Sequence, residues 1–232
     1  MKKLTFLLAW VFTLATNFVY AQDAVEILTK HIEALGGYDN IKAIKSVKIK
    51  QTVTTQGYDI QQTLVIIPGD AIRSETNAVG NITIISVKGD SGWQINPAQY
   101  GNSTPVALSS GMVKTLKGQA DIFGPLVDFK EKAYKMELQG TEKVNDQDAY
   151  KIKVTIKENL DMTVYIGTKS FMALRTTLGG AETNFYDYYK VNGFMQPSTV
   201  ELISRSGKAS ISDRKIEING SIDEAIFKMP TE

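Results

Sequence analysis

Alternation of polar and apolar residues between Ala149 and Leu202 constrains the fold of this chain more than any other sequence feature. From Tyr150 to Lys157 every second residue is Tyr, Ile or Val, and the residues between them are Lys or Thr. Because successive side chains leave a β-strand on opposite faces, this segment is predicted to be a half-buried strand with a basic, solvent-facing side.

Turn signals divide the same stretch into short strands at even spacing. The turns fall at Glu158-Asn159 and at 167–170, and the further strands are predicted at 162–166, 171–177, 182–191 and 197–204. Short strands with a turn between each pair are typical of an antiparallel meander, either open or closed into a barrel. The predicted fold class is therefore mainly β with a few helices.

Residues 1–21 have the organisation of a secretory signal peptide. Two lysines precede an apolar run over 4–14, and the tripeptide at 19–21 suits cleavage before Gln22. A membrane anchor is the alternative, but the run is shorter than the ~20 residues that span a bilayer. The chain has no cysteine that could carry a lipid anchor or a disulfide. We expect export to the periplasm without a lipid anchor, and a single domain over 22–232.

The charge balance argues against nucleic acid as a partner. The full chain has 26 basic and 25 acidic residues, and removal of Lys2 and Lys3 with the leader leaves 24 basic residues. A net charge this close to zero provides no electrostatic basis for binding nucleic acid or an anionic membrane.

Residues 23–35 are predicted to form an amphipathic helix that ends at Gly36-Gly37. Four apolar residues share one stripe of this helix: Val25, Leu28, Ile32 and Leu35. A helical turn at 38–44 is expected to lead into the first strand. His31, the only histidine, lies at the edge of the stripe and has no adjacent ligand cluster, so we interpret it as a packing residue.

Further strands are predicted between residues 47 and 87. Two of them become apolar on both faces, at 64–67 and at 82–87. Strands of this kind are covered on both sides of the sheet. One cover is expected to be the helical material that follows in the sequence.

The alternation stops between Pro97 and Lys132. Residues 108–110 are predicted to open a helix, and a strongly apolar run follows at 122–129. A connection of this length is uncommon in a compact domain and is typical of a functional lid or plug. The alternative is a helix that simply closes one end of the core. Strands are predicted to resume at 135–144.

The strand at 182–191 has bulky residues on both faces. Phe185, Tyr189 and Val191 are predicted on one face, and Tyr186 and Tyr188 on the other. A half-open barrel curled around a helical plug can enclose an apolar cavity beside such residues. Ordinary core packing with exposed tyrosines explains the same pattern, and both interpretations stay open.

Catalytic and metal-binding motifs are few. The sequence contains no Gly-x-Ser-x-Gly elbow and no cysteine nucleophile. The turn at 145–148 lacks the Gly and terminal Glu of a calcium loop, and 206–209 lacks the preceding glycine of a phosphate loop. We predict a non-enzymatic protein with no cofactor and no metal. A pair of carboxylates brought together by the fold is the hydrolase alternative.

Three stretches occur in a recognisable order: a strand-proline-strand element at 67–75, a turn and aromatic strand around Trp93 at 88–97, and a hairpin with an aromatic-Asp-Tyr strand at 165–197. Together they resemble the LolA/LolB-like superfamily of periplasmic lipoprotein carriers and outer-membrane lipoprotein-sorting proteins. The resemblance implies a strongly curved antiparallel sheet, a half-open β-barrel, with helices plugging its mouth over an apolar cavity for acyl chains. In the carrier proper, an arginine before the strand-ending proline helps to hold the helical lid. Here that residue is Ile67.

The expected function is that of a monomeric periplasmic carrier for a lipid or an acylated protein. An envelope sensor or protein-interaction module, with envelope proteins as partners and no bound lipid, is the alternative. The residues expected to line or cover the cavity are Ile67, Ile84, Trp93, Met112, Leu116, Phe123, Leu126, Val127, Phe129 and Phe185.

Overall fold

The computed structural model describes residues 23–118, 120 and 123–231. The predicted signal peptide lies outside these residues. The described helices are α1 (23–35), α2 (Tyr38–Lys42), α3 (Pro97–Tyr100) and α4 (Ser110–Lys117), with a 3-10 helix at Glu224–Phe227. The strands are β1 (Val47–Thr55), β2 (Tyr58–Ile67), β3 (Ala71–Ala78), β4 (Asn81–Lys88), β5 (Ser91–Ile95), β6 (Val106–Ala107), β7 (Lys135–Val144), β8 (Gln147–Lys157), β9 (Leu160–Gly167), β10 (Ala173–Leu178), β11 (Ala181–Val191), β12 (Phe194–Ser204) and β13 (Gly207–Ile218).

All 13 strands form one open antiparallel sheet. Their order is β6-β5-β4-β3-β2-β1-β13-β12-β11-β10-β9-β8-β7. The first and last strands pair at its centre, with Val47 opposite Ile218, and so join two meanders side by side. The edges are β6 and β7. The predicted mainly-β class is confirmed.

Residues from both meanders share one hydrophobic core. Val87 of β4, Ile152 of β8 and Leu28 of α1 are each 0% exposed and belong to the same cluster. Neighbouring strands lie ~4.8 Å apart, so a flat sheet would separate β4 from β8 by roughly 43 Å. The sheet therefore curls around the helices as a half-open barrel, and we call the face that carries this cluster the inner face.

The predicted first helix is confirmed as α1; Leu28, Ile32 and Leu35 of its apolar stripe are buried, and Val25 is partly buried. Gly36 and Gly37 end it with φ of 138° and 87°, and the Gly37 amide donates to the Ile32 carbonyl at 3.0 Å. A Cβ added at Gly36 would lie 2.7 Å from the Phe194 ring, so glycine is also required there by close packing.

Two-residue turns set the register of the hairpins. Asn145 and Asp146 have φ of 48° and 61°, as a type I′ turn requires, and they join β7 to β8. Met136 and Leu138 of β7 then pack against the core, while Lys135 and Glu137 are exposed. The predicted strand at 135–144 is confirmed, and the turn that follows it consists of Asn145 and Asp146.

The sheet is covered on both faces between β2 and β5, but by two different parts of the chain. On the inner face, Ile66 and Val87 share the core with Val113 of α4. This helix is the cover that was expected from the sequence. On the outer face, Val65 and Ala71 pack against Phe227 near the C-terminus. The sequence pattern predicted two covers and identified only the first.

Two elements within 97–107 were not predicted. Asn96 caps α3 by accepting a hydrogen bond from the Gln99 amide, and Pro97 occupies its first turn. The chain then adds β6 to the sheet edge through the pairing of Trp93 with Ala107. Elements of two to four residues are too short to produce a periodic pattern.

The predicted faces of β11 need one correction. Tyr188 was assigned to the face opposite Phe185, but both side chains pack against the inner core. Asp187 between them has a left-handed φ of 51°. This conformation interrupts the strict alternation on which the assignment relied.

Candidate ligand-binding site

Six of the ten residues predicted to form the site lie on the inner face. Leu126, Val127 and Phe129 are buried in the core cluster, and Phe129 is only 2% exposed. Leu116, Phe123 and Phe185 are partly buried against the same cluster. These six residues come from α4, from the turns that follow it and from β11, so the curled sheet brings together segments that are distant in sequence.

A cavity of about 300 Å³ lies between α1, residues 123–126 and the strands from β9 to β13. Its apolar wall includes Leu35, Phe123, Leu126, Met162, Phe185 and Val200. Ligand pockets commonly measure ~300–1,000 Å³. This cavity is at the lower end of that range, a size that suits a single slender group. No carboxylate is among its lining residues.

The segment 123–131, which we call the insert, separates this cavity from two further clefts. A cleft of about 600 Å³ lies between α1, α2 and residues 127–131. Another, of about 320 Å³, lies between α2, the β2–β3 turn at 68–69 and the side chains of Phe123 and Val127. The insert is therefore the part of the chain that borders all three spaces.

Apolar contacts hold the inner side of the insert, and polar contacts hold its rim. The Phe123 and Phe194 rings lie 5.8 Å apart. At the rim, Lys42 Nζ lies 3.0 Å from Asp128 Oδ1, and the Tyr38 hydroxyl donates to Glu131. This hydrogen bond is the main cause that raises the pKa of Tyr38 to about 12, since it stabilises the neutral phenol. Exposed ion pairs are weak, so burial of the apolar side chains dominates the docking of the insert.

A band of polar side chains crosses the inner face beside the cavity. Gln51 Nε2 donates to Gln62 Oε1 at 2.6 Å, and Gln62 Nε2 donates to Ser74 Oγ at 3.2 Å. Arg214 extends the band onto β13 by donating from Nε to Gln51 Oε1 at 3.2 Å. The band therefore links four adjacent strands.

Sequence reasoning missed these polar residues, although three of them left a signal. Gln51 and Gln62 occupy the inward phase of their strands, where each continues a series of apolar residues. Arg214 continues the phase of Ile216 and Ile218, which pack against the inner core. The left-handed Asp213, with a φ of 52°, and the one-residue shift of β13 against β1 lie on its N-terminal side.

The other four predicted residues lie away from the inner core. Ile67 and Trp93 are on the outer face. Ile67 packs against the outer cluster that contains Phe227. Trp93 pairs with Ser86, whose neighbour Val87 points into the inner core. Ile84 shares the phase of Ser86 and therefore also points outward. Met112 is 49% exposed on α4. The arginine-to-isoleucine departure at residue 67 thus falls on the face opposite the insert.

Trp93 belongs to a separate contact with the C-terminal segment. Its Nε1–H donates to the Phe227 carbonyl at 2.8 Å, and the Ser86 hydroxyl donates to the same oxygen at 3.3 Å. Arg73 Nε donates to the Ile226 carbonyl at 3.2 Å. These bonds hold the 3-10 helix against β3, β4 and β5.

His31 lies where α1 meets the β9–β10 turn. Its Nδ1–H donates to the Phe171 carbonyl at 2.7 Å, and burial lowers the pKa of the imidazole below its usual value. Within the described ranges, no three His, Cys, Asp or Glu side chains are grouped so that they could hold a metal ion. None of the helices described is long and apolar enough to cross a bilayer.

Comparison with known proteins finds similarity in structure and not in sequence. No protein-family model matches the chain, and no curated protein matches its sequence. A DUF1329 family protein from Desulfovibrio piger superposes with a TM-score of 0.56 at 14% identity, over 90% of this chain and 97% of that one. A putative outer membrane lipoprotein-sorting protein domain from Vibrio parahaemolyticus gives 0.56 at 13% identity, over 89% and 97%.

A LolA superfamily protein from Nitrosomonas europaea gives a TM-score of 0.54 at 18% identity, over 88% of this chain and 97% of that one. Likeness at this level of identity establishes a shared fold. The chain has the open antiparallel half-barrel fold of LolA-superfamily proteins, and the resemblance inferred from residues 67–75, 88–97 and 165–197 is confirmed at the level of the fold.

Proposed function

We propose that this protein is a non-enzymatic periplasmic carrier that buries an acyl chain of a lipid or lipidated protein between the sheet and the insert. The observation that carries the proposal is the apolar cavity on the inner face, bordered by Phe123 and Leu126 of a segment that also borders two further clefts. Burial of each methylene stabilises a complex by ~0.8 kcal/mol, so an acyl chain alone provides substantial affinity. The names of two proteins with this fold, which refer to lipoprotein sorting and to the LolA superfamily, support the same class of ligand.

The proposed site consists of the six predicted residues on the inner face. Phe185 lines the cavity, Leu116 packs against the same core, and the remaining four belong to the insert: Phe123, Leu126, Val127 and Phe129. Displacement of the insert would join the cavity and the two clefts into one groove, with room for a longer chain than the 300 Å³ cavity holds.

Native mass spectrometry of the protein purified from its own periplasm tests this function. We expect lipid adducts on the wild-type protein. Thr176→Phe places a ring into the cavity and should reduce the adducts strongly, whereas Thr177→Phe, on the opposite face of the same strand, should leave them unchanged. Persistent absence of adducts from the wild-type protein would contradict the proposal.

Export is part of the same proposal. We propose that 1–21 is a cleaved signal peptide and that 22–232 forms the single mature domain. The intact mass of the periplasmic protein should correspond to a chain that begins at Gln22. A mass that retains the leader would contradict this processing.

A second candidate function is an envelope sensor or protein-interaction module. Four of the five hairpin turns at one end of the sheet carry or flank six of the nine large exposed hydrophobic residues in the described part of the chain: Tyr58, Val79, Ile82, Leu178, Leu202 and Ile203. Val79 is 84% exposed at the tip of its turn. An apolar rim of this kind is typical of a surface that meets another protein. A lipid-free interior, together with co-purification of one defined protein that Val79→Ser abolishes, would favour this function.

A further inference from the structure

The cavity contains one charged group, the guanidinium of Arg214. It projects from β13 into a wall that is otherwise made of apolar and neutral polar residues. Arg214 is half-buried, and an arginine that is partly removed from water is normally paired with a carboxylate, because an isolated charge in apolar surroundings is unfavourable. None of the ion pairs among the described residues involves Arg214.

Hydrogen bonds within the protein use only part of this guanidinium. Nε donates to Gln51 Oε1 at 3.2 Å, and Nη1 donates to the Pro197 carbonyl at 2.7 Å. A guanidinium has five N–H donors, so Nη2 and the second N–H of Nη1 remain without a partner among the described residues. No fully buried side-chain nitrogen or oxygen in this part of the structure lacks a partner, so Nη2 must reach accessible space.

The neighbours of Arg214 leave its charge uncompensated. Burial lowers the pKa of Arg214 from its usual value, and the nearby titratable groups that oppose the shift are the phenols of Tyr189 and Tyr188. The Tyr188 phenol is neutral at physiological pH, because burial raises its pKa. An arginine nevertheless stays protonated at neutral pH. The cavity therefore presents a fixed positive charge with open donors.

We propose that Arg214 binds the anionic group of the ligand, a carboxylate or a phosphate, while the acyl chain lies along Phe185, Leu126 and Met162. The fork of N–H groups on an arginine matches two oxygens of either anion. This inference rests on the proposed function and specifies it, because it selects a single-chain anionic amphiphile over a neutral lipid. Gln51 and the Pro197 carbonyl act as positioning groups that hold the guanidinium at the wall.

Calorimetric titration of delipidated protein with three probes of equal chain length tests the proposal. The probes are dodecanoate, dodecyl phosphate and dodecanol, used below their aggregation limits. At least one anion should bind about 10- to 100-fold more tightly than dodecanol, as expected for hydrogen bonds to a charged group. The tighter of the two anions identifies the carboxylate or the phosphate as the source.

Substitution separates the charge from the apolar site. Arg214→Met should reduce the affinity for both anions to that for dodecanol and leave dodecanol binding unchanged. Arg175→Met is the matched control, because Arg175 already has an ion pair with Glu182 and should not affect any probe. Arg214→Lys should retain part of the preference for anions.

The outcomes distinguish the anion site from the carrier function. Equal binding of all three probes to the wild-type protein would overturn the anion site and leave the apolar site standing. Binding of none would overturn both. If Arg214→Met does not fold, ¹⁵N NMR of the arginine Nε–H groups in the wild-type protein replaces the substitution. The Arg214 signal should shift when dodecanoate or dodecyl phosphate is added and should not shift with dodecanol. A signal that no probe changes would refute the proposal.

Discussion

His31 illustrates how one buried polar group can couple stability to pH. Its ring is 4% exposed, and the Phe171 carbonyl accepts the only hydrogen bond recorded for it among the described residues. Burial disfavours the charged imidazolium and lowers the pKa of His31 below 6.5, while the carbonyl opposes the shift. The unfolded chain therefore binds this proton more tightly than the folded chain. The stabilising contribution is present above pH 6.5 and is lost as the pH falls through the lower folded-state pKa.

We expect the free energy of unfolding to decrease as the pH is lowered from 7 to 5, and His31→Gln to weaken this dependence. Urea denaturation at a series of pH values measures both slopes. Glu26, Asp161 and Glu201 have lowered pKa values and titrate below this window, so they do not obscure the effect. NMR of the single imidazole gives an independent check, and a titration midpoint at or above 6.5 would contradict the argument.

Among the elements, the insert is a connection between α4 and β7 whose apolar side chains form part of the core. Phe129 is 2% exposed, yet it lies in a chain of turns without regular secondary structure. Its position is therefore determined by packing against α1 and the sheet. The rim contacts of Lys42 and Tyr38 orient the segment but add little to its stability.

Phe129→Ala should lower the free energy of unfolding by about 3–5 kcal/mol, because it removes a fully buried ring and leaves a cavity. Met112→Ala, at a 49% exposed position of the preceding helix, should change it by no more than about 0.5 kcal/mol. Denaturant titration of both variants makes the comparison. A loss below about 1 kcal/mol for Phe129→Ala would mean that the insert is not docked in the folded state.

The C-terminal segment is the second element whose role depends on long-range packing. Phe227 is 4% exposed and covers Val65 and Ala71 on the outer face. Trp93 lies beneath the same segment and is also 4% exposed. Trp10, the other of the two tryptophans, lies within the predicted leader, so fluorescence of the mature chain would report on Trp93 alone.

Phe227→Ala should shift the Trp93 emission to longer wavelength, because water reaches the indole once the covering ring is removed. Met229→Ala, in the same segment but 44% exposed, should leave the emission unchanged. Fluorescence spectra of the folded variants provide the measurement. An unchanged spectrum for Phe227→Ala would show that the segment does not protect Trp93.

For the whole molecule, the pairing of β1 with β13 links the two meanders into one sheet. Eight residue pairs join these strands, and the core includes residues from both meanders and from α1. Neither meander has a core of its own of comparable size. Separation of the two parts would therefore expose the cluster that stabilises each of them.

We expect residues 22–232 to unfold in one cooperative transition. Far-ultraviolet circular dichroism reports on the entire sheet, whereas Trp93 fluorescence reports on the β2–β5 region alone. The two curves should coincide in urea, as two-state unfolding requires. Distinct midpoints would indicate that the meanders are separate folding units.

Local patterns in the sequence were sufficient to predict the main helices and strands. Alternation, helical periodicity and turn residues depend on neighbours within a few positions, so they predicted α1 over 23–35, β7 over 135–144 and the meander from β8 to β12. They also indicated that the strands near residues 65 and 85 are covered on both faces. The same locality explains the error at Tyr188, since a single left-handed residue at Asp187 ended the alternation.

The sequence by itself determined the fold class, the order of the strands along the chain and most of the apolar residues of the core. Only the tertiary structure decided which residues share a site. It placed Phe227 against Val65, put Ile67, Ile84 and Trp93 on the outer face, and brought Arg214 into the wall of a cavity formed by α1, the insert and five strands. These contacts join residues far apart in the chain through the curl of the sheet, and no local pattern encodes that curl.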